Sequence, residues 1–328
     1  MKTDIILDVD TGVDDALALL FAVRHPELRL LAVSCVAGNA GLDAVVRNTL
    51  VTLDAAGAGD VPVAAGATQP LVQPARDARY VHGADGLADL GGAPTERRPV
   101  DGTAVELLRR TILGAPNPVT LVLLAPMTNA ALLLRTHPEV TANIERVVFM
   151  GGSVGHGNAT PAAEFNVWHD PEAAAIVLDA GVPTTMYGLD VFYQVAVPVA
   201  VAEQLQAATD PGVRLAGGLL LHQASRGGGR DERVPDGGGG LLGDAGAVCA
   251  VADPTGLTTR HCPVEVELAP GRSRGQTLVD LRNLPGEREV HGDAGEAATI
   301  DVATAVDRDR YRELFLSTVQ RPATEVTS

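Results

Sequence analysis

Residues 5–20 read IILDVDTGVDDALALL, an apolar run, a polar turn and a second apolar run. The first run, Ile5–Leu7, is typical of a buried strand, and the second, Ala16–Leu20, favours a buried helix. Gly12 lies between them, and a residue without a β-carbon lets the backbone turn sharply or approach a ligand closely. The stretch therefore predicts a strand, a tight turn and a helix in succession.

Four aspartates, at positions 8, 10, 14 and 15, occupy the strand end and the turn. Side chains alternate along a strand, so Asp8 and Asp10 are expected on the same face. Thr11 and Asp14 form the T-x-x-D pattern of a helix capping box. Taken singly, Asp14 or Asp15 would be only a capping or first-turn acid, which the helix dipole favours.

As a group, the four aspartates indicate more than helix capping. A carboxylate at the end of an apolar strand costs free energy unless it is paired, hydrogen-bonded or bound to a metal. Neighbouring carboxylates also repel one another and raise each other's pKa. A hard cation with oxygen ligands removes both penalties, so the cluster predicts a metal-binding or catalytic role.

Composition narrows the class of protein. The chain has 328 residues, 46% of them hydrophobic, and a net charge of −16 at pH 7. We expect one domain over residues 1–319 and a disordered tail over 320–328. The acidic sequence shows no basic face for nucleic acid and no uncharged apolar run long enough to span a membrane. Three cysteines without a C-x-x-C motif, and a first strand directly after the N-terminus, predict a reduced, cytoplasmic location.

Strand-like and helix-like segments alternate along the chain. After the first unit, the predicted strands are 30–36, 61–65, 119–124, 147–150 and 184–189. The predicted helices are 43–56, 104–113, 126–134, 170–178 and 245–252. This alternation predicts an α/β fold with a mainly parallel central sheet covered on both faces. Ligands bind beyond the carboxyl ends of such strands, where Asp10, Asn39 and the segments after Leu124 and Met150 are expected to meet.

Residues 227–240, GGGRDERVPDGGGG, are rich in glycine with interspersed charge. Such composition indicates a flexible segment, either a domain linker or a lid. Chain length and the continuing strand–helix pattern favour a mobile flap within one domain.

Residues 150–171, MGGSVGHGNATPAAEFNVWHDP, place polar side chains after another predicted strand. Asn158, Glu164 and Asn166 supply the amides and the carboxylate that bind sugar hydroxyls, although each of them singly is more often a turn residue or a helix cap. Asp244 opens the predicted helix over 245–252 and would singly be an N-cap.

Together these stretches resemble the inosine–uridine-preferring nucleoside hydrolases. The likeness begins at D-V-D-T-G-V-D-D-A-L-A-L (8–19), with Thr11 where proline is common. It continues through V-A-G-N (36–39), V-H-G-A-D-G-L (81–87), L-A-P-M-T-N (124–129), M-G-G (150–152), G-N-A-T…E-F-N…D-P-E-A (157–173), Asp244 and G-Q-T-L-V-D-L-R-N (275–283). It spans nearly the whole chain in order, and it implies a nucleoside hydrolase-like domain with its active site at the carboxyl ends of the strands.

The resemblance implies hydrolysis of the N-glycosidic bond of ribonucleosides to ribose and free base. It implies one Ca²⁺ ion, with the all-oxygen ligands that suit calcium. The implied ligands are the carboxylates of Asp10, Asp15 and Asp244 and the backbone carbonyl of Leu124, and Asp10 would be the general base for a water. Asp14 and Asn39 would act with it in catalysis. We also expect a homo-oligomer, a dimer or a tetramer.

The resemblance also implies a set of substrate-binding residues. The ribose would contact Asp14, Asn39, Asn158, Glu164 and Asn166, with Met150 packing nearby. His82 would lie near the base pocket. Trp168 and Tyr80 would stack on the base, or else pack in the core or at the rim of the site.

One position departs from the family pattern. In purine-cleaving members a histidine directly precedes the last metal aspartate and protonates the leaving base, whereas this chain has Gly243 there. A general acid is typically worth ~10²–10⁴-fold in rate. His82, His156 and His222 are candidate replacements, although each would more often be an ordinary surface or turn residue. The arginines at 226, 230 and 233 would instead stabilise an anionic base, because arginine is a poor proton donor.

Two other functions stay open at this point. The segment ILDVDTG resembles the D-x-D-x-T opening of haloacid-dehalogenase phosphatases, but those enzymes usually need a mid-chain lysine, and Lys2 is the only lysine here. Alternatively, the chain binds ribosides or metal without turnover, as Gly243 and the glycine-rich flap allow.

Overall fold

A computed structural model describes residues 2–90, 95–226, 234, 238–282, 286, 290 and 297–322. Several sequence predictions concern residues outside these ranges: most of the predicted flap (227–233 and 235–237), with its arginines at 230 and 233, position 283 of the last family motif, and residues 323–328 of the predicted tail.

Strands and helices alternate through most of the chain. The strands are β1 (Thr3–Val9), β2 (Leu28–Cys35), β3 (Val63–Ala65), β4 (Val119–Leu123), β5 (Ile144–Met150), β6 (Thr184–Tyr187), β7 (Ala196–Val197), β8 (Gly240–Leu241), β9 (Leu257–Val266), β10 (Thr277–Val279) and β11 (Ala298–Val306). The helices are α1 (Val13–Arg24), α2 (Leu42–Ala56), α3 (Arg79–His82), α4 (Ala104–Gly114), α5 (Thr128–Thr136), α6 (Phe165–His169), α7 (Pro171–Leu178), α8 (Leu189–Phe192), α9 (Val199–Gln206), α10 (Pro211–Arg226), α11 (Asp244–Ala252) and α12 (Arg308–Val319).

The central sheet has the order β10-β9-β11-β6-β5-β4-β1-β2-β3. Neighbours from β11 through β3 pair in parallel, and β9 pairs antiparallel with β10 and β11. The strands β7 and β8 form a separate antiparallel ribbon. The predicted α/β fold with a mainly parallel sheet is therefore confirmed, and the antiparallel edge was not foreseen.

Both faces of the sheet are buried, as the continuous apolar strands predict. In β1, Ile5 and Leu7 belong to one hydrophobic cluster, while Ile6 belongs to the cluster on the opposite face. The first cluster includes side chains from α1, α2, α10 and α11, and the second includes side chains from α4, α5 and α7. This two-sided packing leaves the carboxyl ends of the strands as the open edge of the sheet.

Two local predictions are wrong. The predicted strand over 184–189 is too long, because β6 ends at Tyr187 and Leu189 already begins α8. The predicted capping box is shifted by one residue, since Gly12 is the N-cap of α1 and Asp15 accepts its backbone N–H at 2.9 Å. Thr11 does not cap the helix because its hydroxyl is buried and lies 2.6 Å from the hydroxyl of Thr49 on α2.

A buried arginine links the first helix to the end of the chain. The guanidinium of Arg24, at the end of α1, donates to the backbone carbonyls of Val319 at 2.6 Å and Arg321 at 3.1 Å. It also forms an ion pair with Asp210 at 2.6 Å. Its side chain is 1% exposed, and these three acceptors offset much of the cost of burying its charge, although its Nε has no hydrogen-bond partner among the described residues.

Within the described ranges, no helix has the length and apolar character that a membrane span requires.

Candidate active site

The loops that follow β1, β2, β4 and β5 open onto one cavity of about 630 Å³. Such a position, beyond the carboxyl ends of parallel strands, is where α/β sheets bind ligands. The sequence-predicted residues that line this cavity are Asp14, Asn39, Tyr80, His82, Leu124, Met150, Asn158, Glu164, Asn166, His222, Arg226 and Asp244. Asp10 and Asp15 are fully buried and hydrogen-bond to the cavity-lining Asn39.

The β1–α1 turn fixes the two buried aspartates. The carboxylate of Asp15 accepts the backbone N–H groups of Gly12 at 2.9 Å and Asp10 at 3.2 Å. Asp10 in turn accepts the backbone N–H of Asn39 at 2.7 Å and its side-chain amide at 3.0 Å. The same amide lies 3.2 Å from Asp15, so Asn39 bridges both carboxylates and ties β2 to β1 at the site.

Three carboxylates converge at one end of the cavity. Ligand atoms of Asp14, Asp15 and Asp244 all lie within 4.8 Å of one another. We call these three residues together with Asp10 the acidic floor. Asp10 lies outside the closest trio and is joined to it through Asp15.

The electrostatics of the acidic floor favour a cation. Burial, followed by repulsion from Asp14, raises the pKa of Asp15 to about 7. Burial and neighbouring acids raise the pKa of Asp10 and Asp244 well above the usual range. The Oδ1 atom of Asp14 is buried and accepts no hydrogen bond from the described part of the chain. An all-oxygen set with excess negative charge and an unused acceptor fits a hard divalent ion.

Glu164 and Asn166 form the side of the cavity next to β5. Glu164 caps α6, and its carboxylate accepts the backbone N–H groups of Gly152, Asn166 and Val167 at 2.8–3.1 Å. Burial nevertheless raises the pKa of Glu164 to about 7. The amide of Asn166 donates to the carbonyls of Leu124 and Met150, each at 3.1 Å, and so joins the ends of β4 and β5.

His82 ends the short helix α3 and belongs to the lining of the cavity. Its Nδ1 atom accepts the backbone N–H of Val13 at 3.1 Å, which leaves the ring hydrogen on Nε2. Asp14 Oδ1 lies 3.9 Å from the same Nδ1 atom. Burial lowers the pKa of His82, and the charges of His222 and Arg226 add to this effect.

The end of α10 holds α3 in place. His222 Nε2 donates to the carbonyl of Val81 at 2.9 Å, and Arg226 Nη1 donates to the carbonyl of Tyr80 at 2.6 Å. We call His222 and Arg226 the cationic wall. Both residues are candidates from the sequence, but their contacts with α3 are visible only in the structure. Further lining residues that the sequence did not indicate include Phe192, Tyr193, Gln223 and Leu241.

Two candidates from the sequence, Trp168 and His156, are absent from the described lining of the cavity. Trp168 lines a neighbouring cleft, where the guanidinium of Arg76 stacks 4.4 Å from its ring centroid. The reason is helical phase, because two residues after Asn166 a side chain points about 200° further around α6. His156 is exposed and is absent from the described lining of the cavity. The structure thus places Trp168 outside the described lining of the cavity, whereas the sequence prediction put it among the substrate-binding residues.

Asp8 is also a buried acid, but it is absent from the described lining of the cavity. Its Oδ1 accepts the hydroxyl of Ser34 at 2.5 Å and the amide of Asn129 at 2.8 Å. Burial raises the pKa of Asp8 to about 7. Asn129 also donates to the carbonyl of Cys35 and accepts from the N–H of Ala67, so it braces the ends of β1, β2 and β3. The motif L-A-P-M-T-N contained this signal, although no role had been assigned to its asparagine.

Gly243 occupies a constrained position at the start of α11. Its backbone has φ 54° and ψ −122°, a conformation that L side chains rarely adopt. A β-carbon built there would lie 2.7 Å from Asp14 Cβ and 3.0 Å from Phe192 Cε2. Glycine therefore lets α11 bring Asp244 close to Asp14.

Known proteins match this chain over almost its full length. Residues 5–313 match the inosine-uridine preferring nucleoside hydrolase family. The non-specific ribonucleoside hydrolase RihC of Salmonella schwarzengrund strain CVM19633 is 40% identical over 311 residues, which cover 94% of this chain and 95% of that protein.

Solved structures agree with the sequence match. A plant nucleoside hydrolase superposes with a TM-score of 0.87 at 28% identity, covering 98% of this chain and 100% of its own. A purine-preferring ribonucleoside hydrolase from Gardnerella vaginalis gives a TM-score of 0.84 at 29% identity, covering 97% and 98%. A phosphatase of the haloacid-dehalogenase type has no support in these matches.

Proposed function

The chain belongs to the inosine-uridine preferring nucleoside hydrolase family, and from that premise we propose that it hydrolyses ribonucleosides to ribose and free base with Asp10 as the general base. One observation carries the proposal: buried carboxylates and amides from separate strands converge on one cavity at the carboxyl edge of the sheet. Such a set can bind a sugar through its hydroxyls and stabilise positive charge on it.

Metal dependence belongs to this family, and an acidic trio is present in the cavity. We propose Asp10, Asp15, Asp244 and the carbonyl of Leu124 as ligands of one Ca²⁺ ion. When bound, such a cation would orient the ribose hydroxyls and lower the pKa of the attacking water. Asp14, which belongs to the closest trio, would bind ribose at the edge of that ion.

Asp10 suits the role of base because its carboxylate is buried and oriented. The backbone and side-chain N–H groups of Asn39 fix the plane of the carboxylate, which leaves its remaining lone pairs for a water proton. Asn39 thereby positions the base and holds it against rotation. A proton moves from the water to Asp10 as the water oxygen attacks the sugar carbon.

The remaining ribose contacts would come from Asn158, Glu164 and Asn166, with Met150 packing against the sugar. Cleavage of an N-ribosyl bond places positive charge on the sugar ring, as in glycoside hydrolysis. The carboxylates of Asp14 and Glu164 lie in the cavity lining, where they would stabilise that charge electrostatically.

Release of free ribose tests this function directly. The purified protein, loaded with Ca²⁺, would be incubated with inosine, uridine, adenosine and p-nitrophenyl riboside. We expect ribose in amounts equal to the leaving group, which is the free base from the nucleosides and p-nitrophenolate from p-nitrophenyl riboside, and loss of activity when a chelator removes the ion. Binding of these ribosides without any ribose release would instead support the non-catalytic homologue.

A further inference from the structure

The cavity is lined by acidic and basic side chains from different elements. Asp14, Glu164 and Asp244 belong to the lining, and so do His222 and Arg226, which donate to backbone carbonyls of α3. The protein as a whole carries a net charge of −16, so two basic side chains on one cavity wall contrast with the rest of the molecule. His82 belongs to the same lining, and its Nδ1 atom lies 3.9 Å from Asp14 Oδ1.

The cationic wall keeps free hydrogen-bond donors. Arg226 uses Nη1 for the carbonyl of Tyr80, and a guanidinium has further N–H groups in the same plane. Among the described residues, neither Arg226 nor His222 has a carboxylate within ion-pair distance, although the exposed Asp89 interacts electrostatically with His222. Because the hydrogen bond of Arg226 goes to a neutral carbonyl, it does not cancel the guanidinium charge, which can still attract an anion in the cavity.

Breaking the N-glycosidic bond separates charge, and the cavity offers a side chain of opposite sign to each of the two developing charges. The sugar carbon becomes positive, and the bonding electron pair moves onto the base nitrogen, which becomes negative. Fixed charges aimed at developing charges of opposite sign are a strong source of catalysis. A ribose held over the acidic floor would direct its base towards the cationic wall.

We propose that Arg226, assisted by His222, is a catalytic residue that stabilises the departing base as an anion. The proposal rests on the proposed nucleoside hydrolysis. The C1′–N bond breaks with its electron pair on the base, the water oxygen bonds to C1′, and one water proton passes to Asp10. The base anion takes a proton from solvent after departure, and Asp10 releases its proton to solvent. Arginine acts through its charge here, because its pKa is too high for it to serve as the acid.

A leaving-group comparison tests the role of Arg226. Arg226→Gln removes the charge but keeps an amide donor for the carbonyl of Tyr80. Hydrogen bonds to charged groups are worth about 1.5–3 kcal/mol, so kcat/KM for inosine and uridine should fall by roughly 10–100-fold. The rate on p-nitrophenyl riboside should fall by less than about threefold, because p-nitrophenolate is already a stable anion and needs little help.

Two further variants make the comparison specific. Arg226→Lys restores a positive charge and should recover most of the activity on inosine. Arg214→Gln on the same helix is a matched control, since Arg214 donates to the carbonyls of Ala208 and Thr209 and is absent from the described cavity lining. It should leave all three rates unchanged.

Three outcomes would overturn the proposal. They are an unchanged inosine rate in Arg226→Gln, an equal loss on inosine and p-nitrophenyl riboside, or no recovery in a folded Arg226→Lys. If the natural protein released ribose from none of the substrates, the proposed function would fail as well. If the natural protein released ribose normally and Arg226→Gln changed none of the rates, only the proposed role of Arg226 would be overturned.

Discussion

The acidic floor and the cationic wall border the same cavity, but they are held in place differently. Asp10 and Asp15 are fully buried, and their oxygens accept hydrogen bonds from three backbone N–H groups and from Asn39. Next to the wall, Tyr80 of α3 is 67% exposed, and α3 is joined to α10 by the two side-chain donors of the wall, which reach backbone carbonyls.

This difference follows from the charges that each region carries. Carboxylates that repel one another in a buried site need many oriented partners, so a change at the floor disturbs the whole cluster. In the wall, the guanidinium of Arg226 carries a positive charge near solvent, and the carbonyls that anchor Arg226 and His222 are present whatever side chain stands at Tyr80 or Val81. Changes at the floor should therefore affect catalysis and stability together, whereas changes at the wall should alter the response to the leaving base.

The largest effect is expected for Asp10→Asn. Loss of a general base should lower kcat by ~10²–10⁴-fold on every riboside, whatever its leaving group. The substitution keeps the size of the side chain, although its new N–H groups would oppose those of Asn39 unless the Asn39 amide rotates. Steady-state kinetics, with metal content and thermal unfolding as controls, would measure it. Near-normal turnover with the ion still bound would show that Asp10 is not the general base.

Cation binding should stabilise the floor by the next largest amount. The folded pKa of Asp15 and Glu164 is about 7, above the value of an unfolded carboxyl, so the folded state binds more protons from about pH 4 to 7. In chelator, these groups should make the free energy of unfolding fall as the pH rises through that window. At pH 8, Ca²⁺ at several hundred times its Kd should restore about 3–4 kcal/mol.

Thermal unfolding at pH 5.5 and pH 8, with chelator and with Ca²⁺, would measure this linkage. A cation-induced shift in Tm that is no larger at pH 8 than at pH 5.5 would contradict it.

Gly243→Ala should destabilise the protein by about 2 kcal/mol more than Gly181→Ala. Both glycines have positive φ, which costs alanine roughly 1–2 kcal/mol. A β-carbon at Gly181 meets nothing within 4 Å, whereas one at Gly243 would lie 2.7 Å from Asp14 Cβ. The difference between the two variants in urea unfolding measures this contact with the floor together with the backbone strain specific to the ψ of −122° at Gly243. Equal destabilisation would show that α11 can move without cost.

The smallest effect is expected from the asparagines beside the floor. Asn166→Ala leaves the carbonyls of Leu124 and Met150 without their donor and should lower kcat/KM by about tenfold. Asn158 is exposed, and its Oδ1 accepts the backbone N–H of Phe165, so Asn158→Ala is the comparison variant and should lose less. A greater loss in Asn158→Ala would reverse their assigned importance.

The floor could be predicted from sequence because most of it is local. Asp10, Asp14 and Asp15 share one turn, and the apolar runs around that turn already define a strand and a helix. Parallel strands end at the same edge, which brings Asn39 and the segment after Leu124 to the same place. The fold class followed from the same alternation.

The sequence names His222 and Arg226 as candidates near the leaving base, but the contacts that position them could not be predicted, because they join distant parts of the chain. His222 reaches the carbonyl of Val81, and Arg226 reaches that of Tyr80, across more than a hundred residues. Backbone carbonyls leave no signature in a sequence. Helical phase removed Trp168 from the site for a similar reason, since the exact rotation of α6 depends on its tertiary packing.

The buried guanidinium of Arg24 also bears on the order in which the chain folds during synthesis. Its acceptors include the carbonyls of Val319 and Arg321, which leave the ribosome almost three hundred residues after α1 does. Until then, the guanidinium lacks two of its three buried acceptors and stays hydrated, so the end of α1 reaches its final packing only late in translation. Nascent chains that end before Val319 should accordingly be cleaved by proteases more readily than the released protein.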